Sequence, residues 1–169
     1  MAFLTLSRIR ISGLAGTVPK QKEHNAGYRW IPARERESLI RTIGVETRRV
    51  AARGTTTSDL CTIAAERLLS ELGWERGGID LLIFVSQSRD YLVPTTACIV
   101  QHRLGLSHSC VAFDIAMGCS GYVYGLSVMA GMMQSGMIRK GLLMVGDIST
   151  LTTSYRDKST YPLDRKSVV

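Results

Sequence analysis

Gly118-Cys119-Ser120-Gly121 places a thiol between glycines, at a tight turn that follows an apolar run (residues 110–115) and precedes a segment of helical character (residues 122–135). A cysteine at the junction of a buried strand and a helix N-terminus occupies a special electrical position. Backbone N–H groups of the first helical turn lack intrahelical acceptors, and the helix dipole is positive there. Both favour thiolate over thiol and raise nucleophilicity at neutral pH. The glycines permit a strained turn and the approach of a thioester, and the same N–H groups suit a developing oxyanion. Cys119 is the candidate nucleophile. A free cysteine is also a common small core residue, and Cys61, Cys98 and Cys110, falling in two helices and a strand, are assigned to the core.

Positioning such a turn needs a sheet and helices to carry it. Residues 4–12 read as a strand leading into a polar loop through Gly13, Gly16 and Pro19. Residues 34–42 read as a charged helix ended by Gly44, and residues 46–50 as a short strand or extended loop. Thr57 and Ser58 offer an N-cap, with Asp59 in the first turn. Leu60, Ile63, Ala64, Leu68, Leu69 and Leu72 then recur at helical spacing until Gly73. Residues 81–85 form a continuous apolar run, the pattern of a strand covered on both faces. Pro94 suits the start of a helix running to Gly105, and residues 142–145 form a further buried strand. Strands alternating with helices imply an α/β fold with a largely parallel sheet between helix layers.

No charged residue occurs from Ile115 to Ile138, which raises the question of a membrane span. Five glycines and a strand-like start interrupt this stretch, so a helix buried between protein layers is the better reading. Gly121, Gly125 and Gly131 are expected to admit a close neighbouring helix.

With 169 residues, 45% hydrophobic and 21% charged, the chain is too apolar for disorder and long enough to bury a core without disulfide or metal staples. Four cysteines show neither a C-x-x-C pair nor zinc-ligand spacing. The N-terminus carries charges inside its apolar part and no cleavage site of the export type, so a cytoplasmic chain with reduced thiols is expected. The net charge of +7 is mostly arginine, sixteen against five lysines, and it is scattered. Scattered arginines point to a phosphorylated or acidic partner rather than to nucleic acid.

The stretch A-F-D-I-A-M-G-C-S-G-Y-V-Y-G-L-S-V (residues 112–128) resembles the nucleophile segment of the β-ketoacyl-acyl-carrier-protein synthase III family, within the thiolase superfamily. The likeness extends to I-R-T-I-G-V-E-T-R-R-V-A (40–51), D-L-L-I-F-V-S-Q-S (80–88), V-P-T-T-A-C (93–98), the Q-S-G at 134–136 and L-L-M-V-G-D (142–147). Separated blocks in the family's order are more specific than one cysteine motif.

The resemblance implies a thiolase-like fold, a layered αβαβα sandwich of two similar halves. Residues 1–169 correspond to the N-terminal half, with a mostly parallel, five-stranded mixed sheet. The second half, which supplies a His and an Asn to complete a Cys-His-Asn set, has no match here. His24, His102 and His108 are read as surface or structural imidazoles, and the 169 residues are expected to be a truncated or cleaved portion of a longer chain. The implied reaction is a decarboxylative Claisen condensation. Cys119 takes an acyl group from acyl-CoA, and malonyl-acyl-carrier protein then supplies the carbanion. No resident cofactor is required, because the CoA thioester is substrate. By the same resemblance Arg41 and Arg165 bind CoA. Val93 occupies the position that reaches into the acyl pocket of the neighbouring subunit, where a valine leaves room for longer or branched chains. A homodimer formed through residues 110–115 is implied, and the loop at 149–164 is longer than usual for the family. The alternative is a non-catalytic partner subunit or an inactive fragment of such a synthase.

Overall fold

Leu81–Val85, five apolar residues without a break, form a strand whose side chains are all 0% exposed. It is the centre of the sheet in a computed structural model that describes residues 5–149 together with Ser154 and Asp157. In chain order the elements are β1 (Gln21–His24), α1 (Ala33–Ile43), β2 (Thr47–Val50), α2 (Thr57–Leu72), β3 (Leu81–Val85), α3 (Thr96–Arg103), β4 (Val111–Ile115), α4 (Gly121–Met133) and β5 (Gly141–Val145). Strands β4 and β5 flank β3 and run parallel to it, with Leu81 opposite both Val111 and Gly141.

Alternation along β3 sends its residues into two cores. Leu82 and Phe84 pack with Cys61, Ala65 and Leu69 of α2 and with Ala97 and Val100 of α3. Leu81, Ile83 and Val85 pack with Met129 of α4, supported by Phe113, Leu143 and Val145. The sheet therefore lies between a layer containing α2 and α3 and a layer made by α4. Among the described residues no helix is long and apolar enough to cross a membrane.

The ends of α2 and the start of α3 have identifiable chemical causes. Helix α2 begins one residue earlier than its threonine and serine suggest. Thr56 is the N-cap, its hydroxyl accepting from the Asp59 N–H while the Asp59 carboxylate accepts from the Thr56 N–H, a reciprocal capping box. Gly73 closes the helix in the left-handed conformation, at φ 60°. In α3 the N-cap Thr95 makes no side-chain capping bond; its hydroxyl donates to Cys98 Sγ at 3.2 Å. The Asp114 carboxylate, from β4, accepts instead from the N–H groups of Thr96 at 2.8 Å and Ala97 at 2.7 Å.

Among the described residues the first two glycines of α4 meet the sheet rather than the expected neighbouring helix. A Cβ on Gly121 or Gly125 would strike Val85 and Leu143, so these glycines let α4 settle onto the sheet, while Gly131 faces open space.

Two further expectations are corrected. The sheet is not five-stranded among the described residues. The parallel part has three strands, and β1 and β2 form a separate antiparallel pair with Gln21 opposite Val50. Residues 5–12 form no strand, and Arg8 has φ 60°, a left-handed backbone that breaks an extended run; Leu4 lies outside the described residues.

The N-terminal unit has its own small core of Tyr28 and Ile31 against Leu39 and Ile43. Arg48, one of the scattered arginines, is buried rather than solvated. It pairs with Glu23 at 3.3 Å, hydrogen-bonds the Tyr28 hydroxyl, and lies 4.8 Å from the Tyr28 ring centre.

Candidate active site

Parallel α/β sheets bind ligands at the carboxyl ends of their strands, and three chain segments meet there. Strand β3 exits into Ser86-Gln87-Ser88, β4 into the turn carrying Cys119, and β5 into Gly146-Asp147. The exits are joined by backbone bonds from Ser86 N–H to the Ile115 carbonyl and from Gly146 N–H to the Val85 carbonyl, both at 3.2 Å.

The turn is tight. Met117 N–H donates to the Ile115 carbonyl at 3.0 Å, and Gly121 N–H to the Gly118 carbonyl at 2.7 Å. Cys119 is exposed, two residues before the first residue of α4. Ser120, the N-cap, makes no side-chain capping bond, and the first turn of α4 holds no acidic residue. The positive end of this helix is left for an incoming anion.

The other thiols are placed differently. Burial, reinforced by the negative charges of Asp90 and Asp147, pushes the Cys61 thiol up to about 12. Burial, followed by the charge of Asp80, also raises Cys110. Cys98 was expected in the core but is exposed. It lies on α3 beside β4, with its sulfur 3.9 Å from the Ala112 carbonyl, and β4 has no further strand on its outer side among the described residues. Cys98 is the third residue of α3, but that helix head is already met by the Asp114 carboxylate. Of the two exposed thiols, Cys119 is the one at an uncompensated helix head.

The remaining sequence-derived candidates that are described lie on other segments than the Cys119 turn. Arg41 is exposed on the last turn of α1, where a shallow groove of about 370 Å³ is lined by Glu37, Ile40, Arg41, Gly44 and Glu46. That helix packs on Tyr28 and Ile31 in the N-terminal unit, and two carboxylates share the groove with the arginine. Val93 is 87% exposed, next to Tyr91 at 60% and Leu92 at 79%. His24, His102 and His108 are exposed, at the end of β1, on α3 and before β4. Arg165 and nearly all of the loop at 149–164 lie outside the described residues.

Three residues near the turn were given no role from sequence. Asp114 holds the head of α3, Gln87 packs on Gly118, and Asp147 anchors the backbone of Gln87. Asp114 and Asp147 close the motifs A-F-D and V-G-D, and a carboxylate inside one apolar strand and just beyond another was the available signal.

A sheet sandwiched by helices, with a cysteine turn leading into a buried-layer helix, defines a thiolase-like α/β unit. Residues 113–163 match the family model for 3-oxoacyl-[acyl-carrier-protein] synthase III. The chain is 33% identical over 153 residues to β-ketoacyl-[acyl-carrier-protein] synthase III of Syntrophomonas wolfei, covering 90% of this chain and 46% of that protein. It is 34% identical to synthase III 1 of Vibrio parahaemolyticus, covering 89% and 48%. The crystal structure of 3-oxoacyl-(acyl-carrier protein) synthase from Burkholderia xenovorans superposes with a TM-score of 0.87 at 39% identity, covering 89% of this chain and 44% of that one. The chain belongs to the β-ketoacyl-acyl-carrier-protein synthase III family, and it spans about half the length of the curated relatives it matches.

Proposed function

We propose that this chain supplies the nucleophile half of an acyltransferase performing decarboxylative Claisen condensation in fatty-acid or specialised lipid synthesis. The Cys119 thiolate attacks the carbonyl carbon of acyl-CoA, the C–S bond to CoA breaks, and CoA leaves as its thiolate. The acyl group remains on sulfur as a thioester. Malonyl-acyl-carrier protein then loses CO₂, its carbanion attacks that thioester, and the Cys119 thiolate departs as β-ketoacyl-carrier protein forms. The N–H of Cys119 and the head of α4 face the oxyanion of both additions. No resident cofactor takes part.

One observation carries this reading: Cys119 is an exposed thiol at a helix head bearing neither a side-chain cap nor an acidic residue, whereas the comparable head beside Cys98 is occupied by Asp114. The outer face of α4 supports the two-half architecture. Tyr122, Val123 and Tyr124 are 41%, 63% and 56% exposed on a helix without a single charge. A helix apolar on all sides is built to be covered, and the family's second half, bearing the His and Asn, is the proposed cover.

Arg41 and Arg165 are assigned to the phosphates of CoA, and Val93 to the acyl pocket of a neighbouring subunit. Edge strand β4 is assigned to the homodimer contact, and the cytosol is the proposed setting. In the complete protein, acyl-CoA is expected to leave its acyl mass on Cys119, and iodoacetamide to label Cys119 ahead of the other three thiols. Equal labelling of Cys98 and Cys119, or acylation at another residue, overturns the assignment.

A further inference from the structure

The Asp147 carboxylate gathers the exit of β3. Its Oδ1 accepts from the Ser86 hydroxyl at 2.9 Å, the Gln87 N–H at 2.6 Å and the Ser88 N–H at 3.1 Å. In return the Ile148 N–H donates to the Ser88 hydroxyl at 2.9 Å, so the exits of β3 and β5 are stitched in both directions. Thr57 Oγ1 lies 2.6 Å from the same Ser88 hydroxyl, tying the seam to the first turn of α2. Ser86 and Thr57 are 0% and 1% exposed, so the seam is rooted in the core at these two residues, while the Gln87 bond lies at its surface.

Between the two anchored serines, the Gln87 side chain projects over the neighbouring turn. Its carboxamide lies so close to Gly118 that a Cβ there would meet it at 2.6 to 2.8 Å. Gly118 is the residue before Cys119. Asp147 thus grips the backbone of Gln87 while the Gln87 side chain covers the backbone of the turn that carries the thiol.

We infer that Asp147 and Gln87 are positioning residues for the nucleophile: Asp147 fixes the exit of β3, and through it Gln87 braces the Gly118-Cys119 turn against the head of α4. The inference rests on the reading of Cys119 as the nucleophile and adds two residues that touch neither thioester carbon nor leaving group. Catalytic turns depend on such support, because small misplacements of a reacting atom are costly.

The test is the rate of iodoacetamide labelling of Cys119, with Cys98 of the same chain as internal reference and buried Cys61 as reporter of unfolding. In the unaltered chain Cys119 reacts faster than Cys98; if it does not, the nucleophile reading fails before the variants are considered. Gln87→Ala and Asp147→Ala are each expected to slow Cys119 about threefold, the size of a helix-terminus effect. Labelling of Cys98 is unchanged and Cys61 stays protected. The double variant is expected to be no slower than either single one, since both act through the same contact. Asp147→Asn, which keeps an acceptor oxygen, restores most of the rate. An unchanged Cys119 rate in Gln87→Ala, or strictly additive losses in the double variant, overturns the inference. Should Asp147→Ala expose Cys61 to label, Gln87→Ala alone decides, because its side chain is at the surface.

Discussion

Gly121 lies directly on Val85: a methyl group at Gly121 would come 2.6 Å from Val85 Cγ1 and 3.2 Å from Met117 Cβ. Val85 ends β3 with no exposed surface, so it has no direction in which to yield. The second glycine of the G-C-S-G turn is therefore required by packing as much as by turn geometry. Gly121→Ala is expected to cost about 1–3 kcal/mol, the usual range for overpacking, and to slow labelling of Cys119 by lifting the helix head. In the 169-residue chain by itself, Gly131→Ala adds a methyl group into open space and is expected to stabilise by up to about 1 kcal/mol. Urea unfolding of both variants checks the pair; equal stabilities would dismiss the contact.

Asp114 distinguishes the two helix heads. Its carboxylate serves Thr96 and Ala97, both 0% exposed, so Asp114→Ala leaves two buried N–H groups without their acceptor and is expected to cost about 1–3 kcal/mol. Asp114→Asn removes the charge while keeping much of the shape. If that charge is what compensates the head of α3, labelling of Cys98 in Asp114→Asn rises about twofold while Cys119 is unaffected. No change at Cys98 would show that charge compensation does not separate the two thiols.

The buried thiol of Cys61 makes stability depend on alkaline pH. In the folded chain burial, with the charges of Asp90 and Asp147, pushes it up to about 12 from an ordinary value of 9.0. The unfolded chain consequently releases this proton first. The contribution is fully present below pH 9 and is lost as pH rises toward 12, at up to about 1.4 kcal/mol per pH unit. Urea midpoints measured between about pH 8.5 and about pH 10.5 should fall more steeply for the unaltered chain than for Cys61→Ala. Parallel curves would mean that Cys61 is not the source.

What was legible in the sequence follows the range of the interaction involved. Strand β3 coincides with its apolar run, and α2 with its 3.6-residue periodicity, because both signals are local. The cap of α2 was misplaced by one residue because Thr55, Thr56 and Thr57 are indistinguishable until Asp59 is seen to reciprocate with Thr56. Thr57 and Ser58 instead bond Ser88 and Asp90, partners 31 and 32 residues away. The burial of Arg48 depends on Glu23 and Tyr28, and that of the Asp147 seam on strands brought side by side. The turn carrying Cys119 was legible because strand, glycine, cysteine and helix are contiguous. The contact between Gln87 and Gly118 was not, because it forms only once β3 and β4 pair.

Val93 stands with Tyr91 and Leu92 on a segment where all three side chains are mostly exposed. Leaving them in water forgoes about 25 cal/mol for each Å² that could be covered, so the segment is suited to burial in a second subunit. Edge strand β4, with Val111 43% exposed, offers the backbone for the same contact. Two outcomes follow for the complete protein. In the proposed dimer, Val93→Asp places a charge in the contact and is expected to shift the assembly toward monomer in light scattering. On the proposed acyl-pocket assignment, Val93→Phe keeps the contact apolar but fills the acyl space, so turnover of octanoyl thioester should drop about tenfold while acetyl turnover is spared, within the range that a few methylenes command in an apolar pocket. A dimer indifferent to Val93→Asp would remove this segment from the interface. Octanoyl and acetyl turnover falling together in Val93→Phe would remove Val93 from the acyl pocket, since a general disturbance of the Cys119 turn affects both chain lengths alike.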